Sequence, residues 1–343
     1  MKVSEIGEFG LIRLLADEFH IPYPPRKGHT SAGLLVPLGD DAVVTPGTDR
    51  AAIWTTDTLV AGNHFLPERT SWRDAGWKAL AVNVSDIAAM GGEPHLALVT
   101  LSLPEDFFVD DAVELYRGLH DAAKTYGVTL GGGDVVRSPV FSITVALSGL
   151  ALTSESGKPM LLRRDAAVAG DVVAVTGNLG AAAAGVQLLV QGPDFDAIGQ
   201  PDAEQRLRRA QQHPIPRLDV AHAAVKAGLR CAIDVSDGLV QDLGHIATAS
   251  EVAVVVESQR VPVDPDVRAV FPDLALGLAL GGGEDYELIL VGPEASLNAL
   301  AIGSETPLTI VGRVEDGAPG VRVVGETGAE IPTRPGWDHF ATP

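Results

Sequence analysis

Short apolar runs in this chain end repeatedly in an aspartate that follows glycine or another small residue. Leu34 to Leu38 precedes Gly39-Asp40-Asp41, and Ala51 to Trp54 precedes Thr55-Thr56-Asp57. Val128 to Leu130 opens onto Gly131-Gly132-Gly133-Asp134, and Cys231-Ala232-Ile233 ends in Asp234-Val235-Ser236-Asp237-Gly238. Such runs read as strands that deliver acids at their ends. Asp86 adds an acid near the carboxyl end of Trp72 to Met90, where Trp77, Leu80, Ala81, Val84, Ile87 and Ala88 recur at helical spacing. Hard oxygen ligands placed this way suit Mg²⁺, which keeps several waters, takes one or two carboxylates per ion and shares the phosphate oxygens of a substrate. One isolated aspartate reads better as a turn former or helix cap. Asp41, Asp57, Asp86, Asp134, Asp234 and Asp237 together favour several metal ions. Asp86 keeps two readings at this point, a ligand or a buried ion pair with Lys78 two turns earlier.

Composition narrows the partners. The 343 residues carry 25 Lys and Arg against 45 acids, a formal charge of −20 that repels nucleic acid and anionic lipid. An anionic substrate then needs metal help to bind. The acids are 27 Asp against 18 Glu, although solvated helix faces ordinarily prefer glutamate, so turns, caps and metals account for the excess. A single cysteine, Cys231, excludes an intramolecular disulfide framework and a cysteine-based zinc site, which points to a reducing, cytoplasmic setting. Lys2, Glu5 and Glu8 interrupt the amino terminus where a secretory signal would need an apolar stretch. The longest uncharged run, Val172 to Pro193, contains Gly177-Asn178-Leu179-Gly180 and Gln187, so it reads as strand, turn and helix rather than a membrane span. That turn resembles a phosphate-binding helix start, but a close-packed turn is the better reading.

Strand and helix patterns alternate through both halves, as in a two-domain α/β or α+β architecture. Helices are expected over the first 20 residues, Trp72 to Met90, Asp110 to Tyr126, Ala181 to Val190, Arg206 to Gln212, Leu218 to Ala227 and Leu239 to Ser250. Strands are expected over His95 to Leu103, Val128 to Leu130, Phe141 to Leu152, Asp171 to Thr176, Val252 to Glu257, Tyr286 to Val291 and Leu308 to Val314. Composition loosens at Thr153 to Pro159, which places a domain boundary there and divides the chain into 1–152 and 153–343. No P-loop, protein-kinase signature or nucleophile elbow occurs, so phosphate chemistry here is not of the P-loop kind.

Several segments in order resemble the thiamine-monophosphate kinase family: Gly7-Glu8-Phe9, Gly39-Asp40-Asp41-Ala42, Thr55 to Phe65, and Lys78 to Gly91. Further on, Gly132-Gly133-Asp134, Ile233 to Leu239, Gly282 to Glu287 and Gly336-Trp337-Asp338-His339-Phe340 continue the resemblance over nearly the whole chain. It implies the aminoimidazole-ribonucleotide-synthetase-like fold and a homodimer formed by pairing amino-terminal sheets. It also implies transfer of the ATP γ-phosphoryl group to thiamine monophosphate, giving thiamine diphosphate. By motif, Asp41, Thr55, Thr56, Asp57, Asp86, Asp134, Asp234 and Asp237 resemble the magnesium ligands. Tyr116, Gly133, Arg164 and Ser236 resemble nucleotide contacts, and His64, Glu284 and Trp337 resemble contacts to thiamine phosphate. On this reading residues 1–152 bind metal and nucleotide and dimerise, while 153–343 complete the active site.

Each of these side chains also has a plainer reading: packing for Tyr116, surface charge for Arg164, a loop hydrogen bond for His64, a terminal clamp for Trp337. A different ATP-using enzyme of the same superfamily, or a non-catalytic nucleotide- or metal-binding protein, stays open as an alternative. Cysteine usage weighs against two superfamily rivals, whose reactive Cys or selenocysteine lies in an early loop or at the carboxyl terminus, because Cys231 is mid-chain. A phosphate monoester has a second pKa of about 6 and is mostly dianionic at neutral pH, so no general base is expected.

Overall fold

The computed structural model describes residues 1–19, 45–191, 200–333 and 336. The chain divides into two compact units, one of residues 1–87 and 93–150, the other of residues 88–92 and 151–343.

The first unit opens with α1 (Val3–Glu18), broken at Gly7 where φ is +68°. Strand β1 (Ala52–Val60), α2 (Trp72–Ala89), β2 (Gly92–Leu103), α3 (Val109–Tyr126), β3 (Thr129–Arg137) and β4 (Ser142–Thr153) follow. The sheet order is β1-β4-β2-β3, with β1 antiparallel to β4 and β2 parallel to β3. The apolar spacing of α2 buries Leu80, Val84 and Ile87 completely, and α3 contributes Leu115 and Leu119. The two helices touch backbone to backbone: a Cβ on Gly76 would lie 1.9 Å from the Leu115 carbonyl oxygen, and one on Gly118 1.8 Å from that of Arg73. Phe65, Trp72, Phe107 and Phe141 form an aromatic cluster with ring centroids 4.7 to 5.8 Å apart, separations at which edge and tilted pairs attract.

Strand β3 differs from expectation. It does not stop at Leu130 but runs through the three glycines to Arg137, paired residue for residue with β2 and shifted once between Ala97 and Leu98. A Cβ at Gly133 would stand 1.7 Å from the Val99 carbonyl oxygen. Glycine at this position lets two backbones approach.

The second unit contains β5 (Pro159–Met160), β6 (Val172–Thr176), α4 (Ala181–Gln191), α5 (Pro201–Gln212), α6 (Leu218–Lys226), β7 (Cys231–Asp234) and α7 (Leu239–Ser250). It continues with β8 (Ala253–Glu257), α8 (Pro265–Val270), α9 (Ala275–Gly281), β9 (Leu288–Gly292), α10 (Glu294–Gly303), β10 (Leu308–Glu315) and β11 (Gly320–Val324). Six of its strands form one sheet in the order β11-β8-β10-β6-β9-β7. Alternation along these strands feeds two cores. Val173, Val175, Ile233, Ile289 and Val291 join one, and Ala174, Ala232 and Leu290 the other, as the period of two requires for a sheet covered on both faces.

The expected strand from Tyr286 begins only at Leu288, because Glu284 and Tyr286 adopt left-handed conformations, φ +68° and +50°, that no strand accommodates. Among the described residues, no helix is long and apolar enough to cross a membrane.

Candidate active site

In the first unit, β1 sends alternate side chains to opposite faces. Thr55 and Asp57 share its half-buried face, and the exposed Thr56 points the other way. A role for Thr56 beside its neighbours would therefore run through its backbone. The Thr55 hydroxyl donates to the Asp86 carboxylate on α2, joining two of the candidate ligands. Lys78, 1% exposed, donates from Nζ to the His64 carbonyl oxygen at 3.4 Å. His64 Nδ1 accepts the Val60 backbone N–H at 3.0 Å. A backbone N–H can only donate, so Nδ1 carries no proton and the neutral ring holds its proton on Nε2.

Asp134 is exposed on β3, accepting the N–H of Val135 at 2.9 Å. Tyr116 lies 6.2 Å, ring to ring, from Phe19, and burial pushes its phenol up to about 12. Asp41 and Trp337 lie outside the described residues.

In the second unit, β7 delivers Asp234, 2% exposed, at its end. The loop that follows is held from beneath by Asp242 on α7. One carboxylate oxygen of Asp242 accepts the N–H groups of Ser236 at 3.1 Å, Asp237 at 3.1 Å and Gly238 at 3.0 Å. Burial, then the charges of Asp234 and Asp237, push the Asp242 carboxyl up to about 8. Ligand atoms of Asp237, Asp242 and His245 all lie within 4.8 Å of one another. Asp234 and Asp242 are buried and Asp237 half-buried, and the all-oxygen character of Asp234 and Asp237 fits Mg²⁺.

Arg164 is exposed, and its carbonyl oxygen accepts from the Ser250 hydroxyl at 2.7 Å. The neighbouring Arg163 pairs with Asp165, Nε to Oδ1 at 2.8 Å.

The loop before β9 lies against the same segment. The N–H of Glu284 donates to the Ser236 carbonyl at 2.8 Å and that of Tyr286 to the Val235 carbonyl at 2.9 Å. Gln211 Nε2 donates to the Glu284 carboxylate at 3.2 Å. Asp285 accepts the N–H groups of Gly180 at 2.7 Å and Ala182 at 3.0 Å. The turn Gly177 to Gly180 thus leads into a helix at whose start two N–H groups, those of Gly180 and Ala182, are taken by the protein's own carboxylate.

Residues 39–152 match the AIR synthase related protein, N-terminal domain, and residues 168–325 its C-terminal domain. The thiamine-monophosphate kinase of Escherichia coli O157:H7 is 36% identical over 98% of this chain and 99% of its own. The chain belongs to the thiamine-monophosphate kinase family. Two solved structures align with it throughout. The thiamine-monophosphate kinase of Stenotrophomonas maltophilia K279a has a TM-score of 0.78 at 36% identity, covering 94% of this chain and 98% of that one. AaThiL complexed with AMPPCP and TMP has a TM-score of 0.75 at 32% identity, covering 99% of both chains.

For this member of the thiamine-monophosphate kinase family, sequence reasoning passed over Asp242, Asp285, Glu287 and Arg217. Asp242 had a usable signal: it interrupts the apolar stripe Leu239, Leu243, Ile246 on the buried face of α7. An acid in such a stripe is either paired or functional. Asp285 and Glu287 stand in the Gly282–Glu287 segment of the resemblance, but their partners Ala182 and Arg217 lie 103 and 70 residues away, so spacing could not show what they hold.

Proposed function

We propose that this chain transfers the γ-phosphoryl group of ATP to the phosphate of thiamine monophosphate, releasing ADP and thiamine diphosphate. The observation that carries this reading is near-complete alignment with thiamine-monophosphate kinases, including one bound to AMPPCP and TMP. In the reaction an acceptor phosphate oxygen attacks the γ-phosphorus and the bond to the β-bridging oxygen breaks. The acceptor is already dianionic above about pH 6, so no side chain needs to remove a proton.

Thr55, Thr56, Asp57, Asp86 and Asp134 in the first unit, with Asp41, and Asp234 and Asp237 in the second, are the residues that would hold Mg²⁺. Mg²⁺ held by these residues would supply positive charge to offset that of the donor and acceptor phosphates. The protein's own contribution is positioning. Asp242 holds the Ser236–Gly238 backbone, and the Thr55 hydroxyl orients Asp86. Tyr116, Gly133, Arg164 and Ser236 are assigned to the nucleotide. His64, Glu284 and Trp337 are assigned to the acceptor, whose thiazolium carries a positive charge that a carboxylate or an indole face attracts. Residues 1–152 act as the metal-, nucleotide- and dimer-forming domain and 153–343 complete the site, in a cytoplasmic homodimer.

ADP release measured with and without thiamine monophosphate tests the reading. Turnover that requires the acceptor supports it, and nucleotide binding with no acceptor-dependent ADP contradicts it. Sedimentation tests the dimer.

A further inference from the structure

The loop from Gly282 to Glu287 divides its four polar side chains between two tasks. Asp285 and Glu287 reach into the scaffold of the second unit. Asp285 takes the N–H groups of Gly180 and Ala182 at the start of α4. Glu287 takes both prongs of Arg217 and the Thr176 hydroxyl at 2.6 Å. Glu284 and Tyr286, between and before them, are the residues held at φ +68° and +50°. A side chain at positive φ is strained, and the strain persists only where surrounding contacts over-determine the backbone. Here those contacts are visible. Gly283 sits so close to the Ser236 carbonyl that a Cβ would lie 2.3 Å from it. The N–H groups of Glu284 and Tyr286 are spent on Ser236 and Val235, and Asp285 is clamped between them.

The geometry points to Asp285 as a positioning residue: its carboxylate, anchored on the start of α4, holds Glu284 in the strained conformation that presents its carboxylate to the cationic acceptor. This rests on the kinase reading above and adds to it a residue that does not itself touch substrate. The contact is charge-assisted, a carboxylate on helix N-terminal donors, and tight enough to transmit position. Releasing it lets Glu284 relax toward negative φ and carries its carboxylate away, while Glu287 and Arg217 keep the strand beyond in place.

The test is a double-mutant cycle on the full chain at pH 8 with saturating Mg²⁺. Glu284→Gln, Asp285→Asn and the double variant are compared with the wild type for acceptor KM, ATP KM, kcat and thermal midpoint. Asp285→Asn keeps the volume but turns an amide NH₂ toward one of the two N–H donors. We expect it to raise the acceptor KM about tenfold, with ATP KM within about twofold. In the Glu284→Gln background the same change should add little, since residues acting through one another are non-additive. Asp285→Glu, which retains the charge, should restore part of the acceptor affinity, and it carries the test if the Asn variant does not fold. A lowered midpoint with unchanged acceptor KM overturns the inference, as does full additivity with Glu284→Gln or no effect of Glu284→Gln itself. Those results leave the kinase reading intact. Absence of acceptor-dependent ADP release by the wild type overturns both.

Discussion

The guanidinium of Arg217 and the carboxylate of Glu287 face each other through two parallel hydrogen bonds, Nε to Oε2 at 2.7 Å and Nη2 to Oε1 at 2.6 Å. Glu287 is buried, and its Oε2 also accepts from Thr176, whose own oxygen takes the Leu288 N–H at 2.8 Å. Removing the cation strands a buried carboxylate. Arg217→Met should therefore lower unfolding free energy by about 3 to 5 kcal/mol, and Arg217→Lys, which keeps charge but loses the fork, by less. Urea unfolding measures both. A loss below about 0.5 kcal/mol for Arg217→Met would mean that the pair contributes nothing beyond its packing.

Asp285 makes stability depend on pH in a direction that can be worked out. Burial, only partly offset by the N–H groups of Gly180 and Ala182, pushes its carboxyl up to about 7, against about 3.9 in an unfolded chain. Between these values the folded state binds the extra proton, so stability is fully present below about pH 4 and is lost as pH rises through about 7. Asp285→Asn removes that term. In EDTA, wild-type stability should fall more steeply than the variant's from pH 4.5 to 7.5, by up to about 1.4 kcal/mol per pH unit. Parallel curves would show that Asp285 does not titrate in this window.

Asp57 and Asp237 test the metal assignment. Asp57→Asn and Asp237→Asn remove one charge each at nearly constant volume, so turnover should fall by about 100-fold or more while the thermal midpoint stays close to wild type. Raising Mg²⁺ should recover part of the rate. Turnover within a few-fold of wild type at low Mg²⁺ would remove these residues from the ligand set.

The Nδ1 contact with Val60 makes His64 a donor through Nε2. The rate should accordingly rise with the acceptor's second ionisation, near about pH 6, and remain flat above it. His64→Asn should raise the acceptor KM and leave substantial turnover at saturation. Should that variant lose the saturated rate yet bind acceptor normally, His64 is a base and the base-free mechanism is wrong.

Much of this protein was legible in one dimension. Apolar spacing placed the helix Leu239–Ser250 and set α2 within a residue, because helix formation depends on neighbours three and four positions away. Of the aspartates expected at strand ends only Asp234 ends its strand; β1 runs past Asp57 to Val60 and β3 past Asp134 to Arg137, because how far a strand continues is set by the partner it pairs with. The left-handed residues Glu284 and Tyr286, the passage of β3 through Gly133, the three N–H groups gathered by Asp242 and the cap supplied by Asp285 were decided only in three dimensions. Local sequence biases a residue's own dihedrals, whereas close backbone approach and the burial of a charge depend on which distant segment the chain brings back beside it, and that is a property of the packed structure.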